Sequence, residues 1–192
     1  MKEKTHPLLI IVSGPPGSGK TTLARRIAQE WRLPLIAKDD IKESLFDSLG
    51  WQDREWSKKL GRATYELICY FVETQLAAGR SLIVESNFHE TATLQFRKLQ
   101  AQYNFVPIQV LCYAEPRVLI ERFQARWVSG NRHPGHVEDQ ITDAEYATFR
   151  KYAPLDLGGT IIEIDTTDFG KIDYTDLAAN LRKVLEGLNE LA

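Results

Sequence analysis

Five short apolar segments alternate along the chain with stretches in which apolar residues recur at helical spacing. The apolar segments are residues 8–13, 33–37, 81–85, 105–113 and 160–165. Strands that alternate with helices are typical of parallel βαβ units, whose helices cover both faces of one sheet. The pattern contains no repeat and no Ser/Gly linker. It predicts an α/β fold with three layers, α/β/α, in a single domain over residues 1–192.

The first apolar segment leads directly into a glycine-rich loop. The loop reads Gly-Pro-Pro-Gly-Ser-Gly-Lys-Thr and is followed by apolar residues at helical spacing. A strand, a Gly-x-x-x-x-Gly-Lys-Thr loop and a helix in this order form a phosphate-binding P-loop. Its glycines bring backbone N–H groups onto phosphate oxygens, and the helix adds the positive end of its dipole. The residues predicted to bind a nucleoside triphosphate here are Gly14, Pro15, Pro16, Gly17, Ser18, Gly19, Lys20, Thr21 and Thr22.

Two side chains of the loop have predicted chemical roles. Lys20 can reach the β- and γ-phosphates, and the Thr21 hydroxyl can bind Mg²⁺. The alternative is an ordinary Gly/Pro turn between a strand and a helix. An eight-residue match in the correct context makes that alternative remote.

Composition and charge restrict the partners. The chain has 192 residues, 24 Lys and Arg, and 26 Asp and Glu, for a net charge of −2. This balance supplies no global attraction to nucleic acid or anionic lipid, although it does not exclude a local basic groove.

No apolar run approaches the roughly 18 residues that span a bilayer. The start of the chain has no signal-peptide pattern, so a cytoplasmic location is expected. Cys69 and Cys112 lie in apolar stretches and are predicted to be buried free thiols.

The second apolar segment ends in two carboxylates. Asp40 and Glu43 have capping-box spacing, so Asp40 is predicted to cap the next helix. That leaves Asp39 at the carboxyl end of a parallel strand, where α/β sheets place their ligands. A carboxylate there can accept the proton of an attacking hydroxyl. Alternatively, both Asp residues only cap the helix or face solvent.

Three arginines form a basic set. Arg122 and Arg126 are four residues apart on a predicted helix and share a face. Arg132 lies in residues 128–141, a long polar segment that predicts a lid or disorder. Phosphoryl transfer needs cations near the transferring oxygens, so Arg126 and Arg132 are predicted to be catalytic, and Arg122 and Arg126 to bind nucleotide. A solvated helix face paired with nearby glutamates is the alternative.

Two further patterns near the lid are weaker. His133 and His136, three residues apart around a Pro-Gly turn, are a weak zinc signal, and a turn with exposed or substrate-facing imidazoles is favoured. Thr142-x-x-Glu145 resembles a capping box that opens a short helix.

Together, the P-loop, the Lys-Asp-Asp-Ile-Lys segment at 38–42, the acidic end of the third strand and the lid arginines resemble the small P-loop kinases. The resemblance spans residues 8–168. The nearest branch contains the phage-type polynucleotide 5′-hydroxyl kinase, chloramphenicol phosphotransferase and the zeta-toxin kinases. It implies a five-stranded parallel sheet in the order 2-3-1-4-5, a mobile lid over ATP, and adenine beside residues 165–167.

The resemblance also implies roles for individual residues. In the polynucleotide kinase, the first Asp of an Arg-Asp-Asp-x-Arg segment is the general base and the later Arg contacts the acceptor. Asp39 matches the base, and Lys42 stands in place of the Arg. The Lys ammonium is a point charge and lacks the planar, bidentate donors of a guanidinium. In P-loop kinases the strand beside the P-loop strand usually ends in an acid that touches Mg²⁺ through water, so Glu85 is the predicted partner of Thr21 at the metal. Asn87 is a candidate acceptor contact, although strand-end Asn is common in turns.

These patterns predict an enzyme that uses ATP and Mg²⁺ and moves the γ-phosphoryl group to a hydroxyl. The acceptor is a small molecule or the 5′-end of a nucleic acid, and no membrane partner is expected. Its pocket is expected to be built from residues 40–60 and 86–95. Two other classes stay open: a P-loop ATPase that changes the shape of a partner, and a regulatory ATP-binding protein without turnover.

Overall fold

The computed structural model describes residues 6–138, 147 and 152–189. Within them, strands and helices alternate as predicted. The elements are β1 (Leu8–Ser13), α1 (Lys20–Trp31), β2 (Leu35–Ala37), α2 (Lys38–Leu49), α3 (Arg54–Ala77), β3 (Leu82–Glu85), α4 (Thr93–Tyr103), β4 (Val106–Tyr113), α5 (Pro116–Val128), β5 (Thr160–Asp165) and α6 (Tyr174–Asn189). β2 begins two residues later than predicted, because Pro34 has no N–H to donate to the ladder. The predicted helix start at Thr142 lies outside the described residues, as do residues 139–141 of the expected lid.

The five strands form one parallel sheet in the order β2-β3-β1-β4-β5, which confirms the expected topology. Val12 of β1 pairs with Glu85 of β3, and Glu85 pairs in turn with Ala37 of β2. The carboxyl ends of these three strands therefore lie at one level. This register brings the P-loop, the start of α2 and the end of β3 to the same edge of the sheet.

Alternate residues of β1 point into two separate apolar layers. Leu9 and Ile11 pack in a cluster with residues of α3 and α4. Ile10 and Val12 pack in a second cluster with residues of α1 and α6. Complete burial of a Leu or Ile side chain contributes roughly 1.5–3 kcal/mol. The strand that carries the P-loop is thus held firmly from both faces.

One local prediction is wrong, because Asp40 does not cap α2. The helix begins at Lys38, and the N-cap position is Ala37, which has no side-chain cap. The chain enters α2 directly from β2, so Asp39 and Asp40 both lie in the first turn, where the helix dipole favours carboxylates. The Asp40 carboxylate accepts a hydrogen bond from Arg25 at 2.8 Å.

The state of the two cysteines matches the expectation from composition. Cys69 and Cys112 are free and buried. In the described part of the chain, no helix has the length and apolar character needed to cross a membrane.

Candidate active site

The P-loop has the backbone that a phosphate cradle needs. Gly17 and Gly19 have φ angles of 79° and 73°, which favour glycine. A Cβ on Gly17 would lie 2.5 Å from the carbonyl oxygen of Leu119, so a side chain has no room there. Gly19 is the N-cap of α1 and provides no side-chain cap. The first N–H groups of α1 are therefore left for another acceptor, such as a phosphate oxygen.

The two predicted metal-binding side chains lie together. The Thr21 hydroxyl donates a hydrogen bond to Oε2 of Glu85 at 3.0 Å. Glu85 is 2% exposed, and its Oε1 is 4.0 Å from Nζ of Lys20. Burial raises the pKa of Glu85, although Lys20 opposes the shift. The end of β3 thus places a poorly compensated carboxylate directly beside the P-loop.

The chain after β5 supports the other side of the P-loop. The buried Thr166 hydroxyl lies 2.9 Å from the carbonyl oxygen of Ser18. Arg122 donates to the carbonyl oxygen of Thr167 at 3.0 Å, and its guanidinium lies 4.4 Å from the ring centre of Phe169. The predicted nucleotide-binding Arg122 and the turn at residues 165–167 are therefore neighbours.

A cavity of about 810 Å³ opens beside the P-loop. Lys20 and Glu85 line it together with α2, α3 and the segment that follows β3. Its walls include residues within both ranges expected for the acceptor pocket, namely Lys42, Arg54, Ser57, Lys58, residues 86–89, Thr91 and Ala92. Residues 61–66 of α3 extend the wall beyond the prediction.

Asp39 lies in this cavity and is bound by Arg132. Nη1 of Arg132 is 2.8 Å from Oδ2 of Asp39. Burial favours a higher pKa for Asp39, but Arg132 and Lys20 outweigh it and hold the pKa well below its usual range. Asp39 therefore stays ionised and can accept a hydrogen bond from a hydroxyl in the cavity.

Arg132 is the centre of a wider polar cluster. Its Nε binds Glu138 at 2.8 Å, and its Nη1 lies 3.4 Å from Glu43. Its Nη2 is 3.0 Å from Nδ1 of His136, whose Nε2 is 3.0 Å from Glu43. An arginine can only donate, so Nδ1 of His136 accepts the hydrogen bond from Arg132. The proton of the ring is then on Nε2, which donates a hydrogen bond to Glu43. Burial and Arg132 lower the pKa of His136, in agreement with this neutral form.

Arg126 joins the same cluster through Glu138. Its Nη2 lies 3.4 Å from Oε1 of Glu138, which also binds Arg132. The structure thus brings the two predicted catalytic arginines together, and both line the cavity. Glu43 and Glu138 were missed by sequence reasoning. Glu43 could have been found, since it follows Asp39 by four residues on one helix face, whereas Glu138 lies in an irregular segment without any periodic signal.

The described part of the expected lid is packed against α2. The His133 ring stacks on Phe46 with the ring centres 5.1 Å apart. A Cβ on Gly135 would lie 2.6 Å from the Phe46 ring. Glycine therefore allows the turn Pro134–His136 to approach α2 closely enough for Arg132 to reach Asp39.

Lys42 and Asn87, the other predicted acceptor contacts, also line the cavity. Lys42 donates a hydrogen bond to the Ser57 hydroxyl at 3.0 Å. Burial lowers the pKa of Lys42 to about 8. Asn87 accepts a hydrogen bond from Lys38 at 2.7 Å. Sequence reasoning had assigned no role to Lys38 or Ser57.

Known proteins resemble this chain in sequence and in structure. The family model AAA_33, described as an AAA domain, matches residues 9–152. The crystal structure of a "putative kinase" from Chloroflexus aurantiacus is 41% identical, with a TM-score of 0.87, and the match covers 92% of this chain and 97% of that one. The structure of a sugar kinase from Janibacter sp. is 17% identical, with a TM-score of 0.50 over 83% of this chain and 85% of that one, and it shows a shared fold alone.

A shorter match links the chain to a nucleotide kinase. The cytidylate kinase of Pyrobaculum neutrophilum is 42% identical over 43 residues. This match covers 22% of the present chain and 23% of that protein. The chain therefore matches less than a quarter of the length of this relative.

Proposed function

Because the chain belongs to the AAA-domain family AAA_33, and a buried carboxylate-lined cavity adjoins its P-loop, we propose that it is an ATP-dependent kinase. It transfers the γ-phosphoryl group to a hydroxyl of a small molecule or of a nucleic-acid end. The placement of Asp39 carries this proposal: an ionised carboxylate shares one cavity with the P-loop lysine, Lys20. Such a carboxylate is what an attacking hydroxyl requires.

The residues around the P-loop fit ATP and Mg²⁺. The backbone of residues 14–19, Lys20 and the start of α1 would hold the phosphates. The Thr21 hydroxyl and Glu85 are oxygen ligands of the kind that Mg²⁺ prefers. A cation would also compensate the buried charge of Glu85, whose pKa is raised by burial. When bound, Mg²⁺ neutralises charge on the β- and γ-phosphate oxygens.

The proposed transfer step uses Asp39 on the acceptor side of the cavity. The acceptor oxygen attacks the γ-phosphorus, the bond between the γ-phosphorus and the bridging oxygen breaks, and ADP leaves. The hydroxyl proton passes to the Asp39 carboxylate. Arg132 keeps the Asp39 carboxylate ionised but weakly basic. The main contribution of Asp39 is therefore to orient the hydroxyl and to receive its proton late in the transfer. A loose phosphoryl-transfer transition state demands little more from a base.

The two arginines stabilise negative charge during transfer. Arg126 and Arg132 lie together beside the cavity, and both have guanidinium donors suited to phosphoryl oxygens. Arg122 is held by Thr167 and Phe169, on the side where the nucleoside would lie. This arrangement favours nucleotide binding for Arg122 and charge stabilisation for the other two.

The cavity favours a kinase over the rival classes. An ATPase without an acceptor has no use for the part of the cavity that α2 and α3 line, beyond the space beside Lys20. The match to a cytidylate kinase introduces an alternative acceptor, in which a phosphate oxygen of a nucleotide is the attacking group. Asp39 argues against it, since a carboxylate repels a phosphate oxygen and would find no proton to accept. A hydroxyl suits Asp39 better.

Substitution of Asp39 tests the proposal. With an acceptor found by screening hydroxyl compounds for ATP consumption, Asp39→Asn should lower kcat by about 10²-fold, the low end of the range for general-base catalysis, because Asp39 mainly orients the hydroxyl and receives its proton late. Nucleotide affinity, measured by calorimetry, should change little, since Asp39 faces the acceptor. Asp40→Asn is the matched control, because Asp40 is exposed and its carboxylate binds only Arg25 among the described residues.

Two outcomes would contradict this role for Asp39. One is near-normal phosphoryl transfer by a folded Asp39→Asn protein. The other is an equal loss of activity in Asp39→Asn and Asp40→Asn, which would indicate an effect on α2 rather than on the acceptor. Lys20→Ala, which should lose turnover while staying folded, confirms that the assay reports on the P-loop.

A further inference from the structure

Two adjacent rows of side chains on α3 face the cavity. Each row has a spacing of four residues, which places its members on one helix face. The basic row is Arg54, Lys58 and Arg62, and the second row is Ser57, Gly61 and Tyr65. Like charges four residues apart destabilise a helix. Lys58 has an ion pair with Glu55 at 3.1 Å and Arg54 donates to the carbonyl oxygen of His136 at 3.2 Å, whereas the stability of α3 gives no reason for Arg62.

The acceptor end of the cavity has an excess of positive charge. At the P-loop end, Lys20 lies 4.0 Å from Glu85, and in the lid cluster Arg126 and Arg132 pair with the carboxylates of Asp39 and Glu138. On the remaining wall, Lys58 pairs with Glu55 at 3.1 Å and Arg54 donates to the carbonyl oxygen of His136. The other charged side chains of that wall are three cations and one carboxylate: Lys38, Lys42, Arg62 and Glu66. This end therefore has a local charge opposite to the net charge of the chain.

Lys42 is the most buried cation of this wall. It is 9% exposed, and its ammonium donates to the Ser57 hydroxyl. Among the described residues, no carboxylate forms an ion pair with it. A buried charge without a counterion is unfavourable, and burial accordingly lowers the pKa of Lys42 to about 8. An anion in the cavity would supply the missing counterion.

Gly61 keeps space open beside this ammonium. A Cβ at Gly61 would lie 3.7 Å from Nζ of Lys42 and 3.8 Å from its Cε. Glycine in the interior of a helix is less favourable than alanine, and α3 is 24 residues long with Gly61 well inside it. Gly61 therefore makes α3 less stable than an alanine would, and it leaves space next to Lys42.

We propose that this wall binds an anionic group, a phosphate or a carboxylate, carried by the hydroxyl-bearing acceptor. The inference rests on the proposed kinase function, because it assigns the wall to the acceptor. Asp39 and Lys42 are three residues apart on α2, a spacing that puts Cβ atoms about 5–6 Å apart on one face. The proposal therefore assigns the reacting hydroxyl at Asp39 and the anionic group at Lys42 to one acceptor molecule.

Anion binding without turnover tests the proposal. The P-loop is first filled with Mg²⁺ and a non-hydrolysable ATP analogue, and inorganic phosphate or malonate is then titrated in a calorimeter. The wild-type protein should bind at least one of the two probes in a saturable way. Lys42→Met should weaken that binding at least tenfold, and Lys42→Arg should retain it. Lys98→Met, at an exposed lysine of α4 away from the cavity, is the control and should bind like the wild type.

The possible outcomes separate this inference from the kinase proposal. Preference for phosphate or for malonate identifies which anion the wall takes. Absence of binding by both probes, or equal binding by wild type and Lys42→Met, overturns the inference. Should Lys42→Met not fold, the exposed Arg62→Gln is used, and unchanged binding by that variant overturns it. Transfer to neutral alcohols without anion binding refutes this inference alone. Anion binding at Lys42 without transfer to any alcohol refutes the kinase proposal and leaves an anion site at Lys42 without an acceptor role.

Discussion

Arg132 determines the charge state of the residues around it. Its guanidinium binds Asp39 and Glu138 at 2.8 Å each and touches His136. Together with Lys20 it outweighs burial and holds the pKa of Asp39 well below its usual range, whereas burial, reinforced by Arg132, lowers the pKa of His136. Arg132 is thus the main group that keeps the proposed base ionised, and it supports the neutral form of its neighbour. The cluster would be rearranged by any change that removes this charge.

Arg132→Gln should raise the pKa of Asp39. The lowering effect of Arg132 disappears, while burial, which favours the protonated form, remains. The carboxyl carbon of Asp39, followed by NMR, should therefore titrate at a higher pH in the variant than in the wild type. Since the base must be ionised, activity of the variant should fall as the pH drops through this raised pKa.

Arg126→Gln is the matched control for this titration. Arg126 contacts Glu138 but is not in contact with Asp39 among the described residues. Its loss should lower kcat and move the titration of Asp39 less than Arg132→Gln does, because its interaction with Asp39 is electrostatic and without direct contact. An unshifted Asp39 in Arg132→Gln, in a protein shown to be folded by circular dichroism, would contradict the assigned electrostatic role.

At the scale of elements, the fold was largely accessible from the sequence. Buried parallel strands form continuous apolar runs, so all five strands were located to within two residues. The P-loop was recognised because its glycines and lysine are required at fixed spacing. The strand order, however, came from resemblance to P-loop kinases, since apolar runs alone do not specify which strands are neighbours.

The acceptor wall was only partly predictable, and α3 shows why. The face of α3 that lines the cavity mixes basic, small and aromatic residues, so that face has no apolar stripe and no motif. Only the register of β2 and β3 and the crossing of α2 over α3 bring Lys42 onto Ser57. Asp40 was misassigned for a similar reason: capping-box spacing is local, whereas the true helix start depends on where β2 leaves the sheet.

Gly61→Ala tests the acceptor wall at the scale of α3. The variant should be more stable than the wild type by about 0.5–1 kcal/mol, because alanine is favoured over glycine inside a helix. The new methyl group would sit in ordinary contact with Lys42 and narrow the space beside it. Acceptor KM should rise roughly tenfold, the order expected for a one-carbon misfit in a binding pocket. Thermal denaturation and steady-state kinetics measure both effects, and greater stability with an unchanged KM would place the acceptor elsewhere.

At the scale of the whole molecule, the site is assembled from parts that are distant in sequence. The sheet positions the P-loop, Glu85 and the start of α2 at one edge. The turn Pro134–His136 then packs on Phe46 and brings Arg132 to Asp39. Ser57 and Arg54 of α3 bind the carbonyl oxygen of His136 at 3.3 and 3.2 Å. The donor half of the site, which contains the P-loop and Glu85, is thus built on the sheet. The acceptor half, which contains Asp39 and Arg132, depends on the docking of this turn.

Gly135→Ala should therefore damage the acceptor half and spare the donor half. The added Cβ would lie 2.6 Å from the ring of Phe46, which is 1% exposed and has no room to move. The turn must shift, and overpacking of this kind typically costs about 1–3 kcal/mol of stability. Misplacement of Arg132 by about 1 Å can lower kcat on the order of 100-fold. Nucleotide affinity should change little, and hydrogen exchange should become faster in residues 132–137. The opposite sign of the stability change in Gly61→Ala makes the two variants a matched pair. Unchanged stability and kcat in Gly135→Ala would show that docking of the turn on Phe46 does not organise the site.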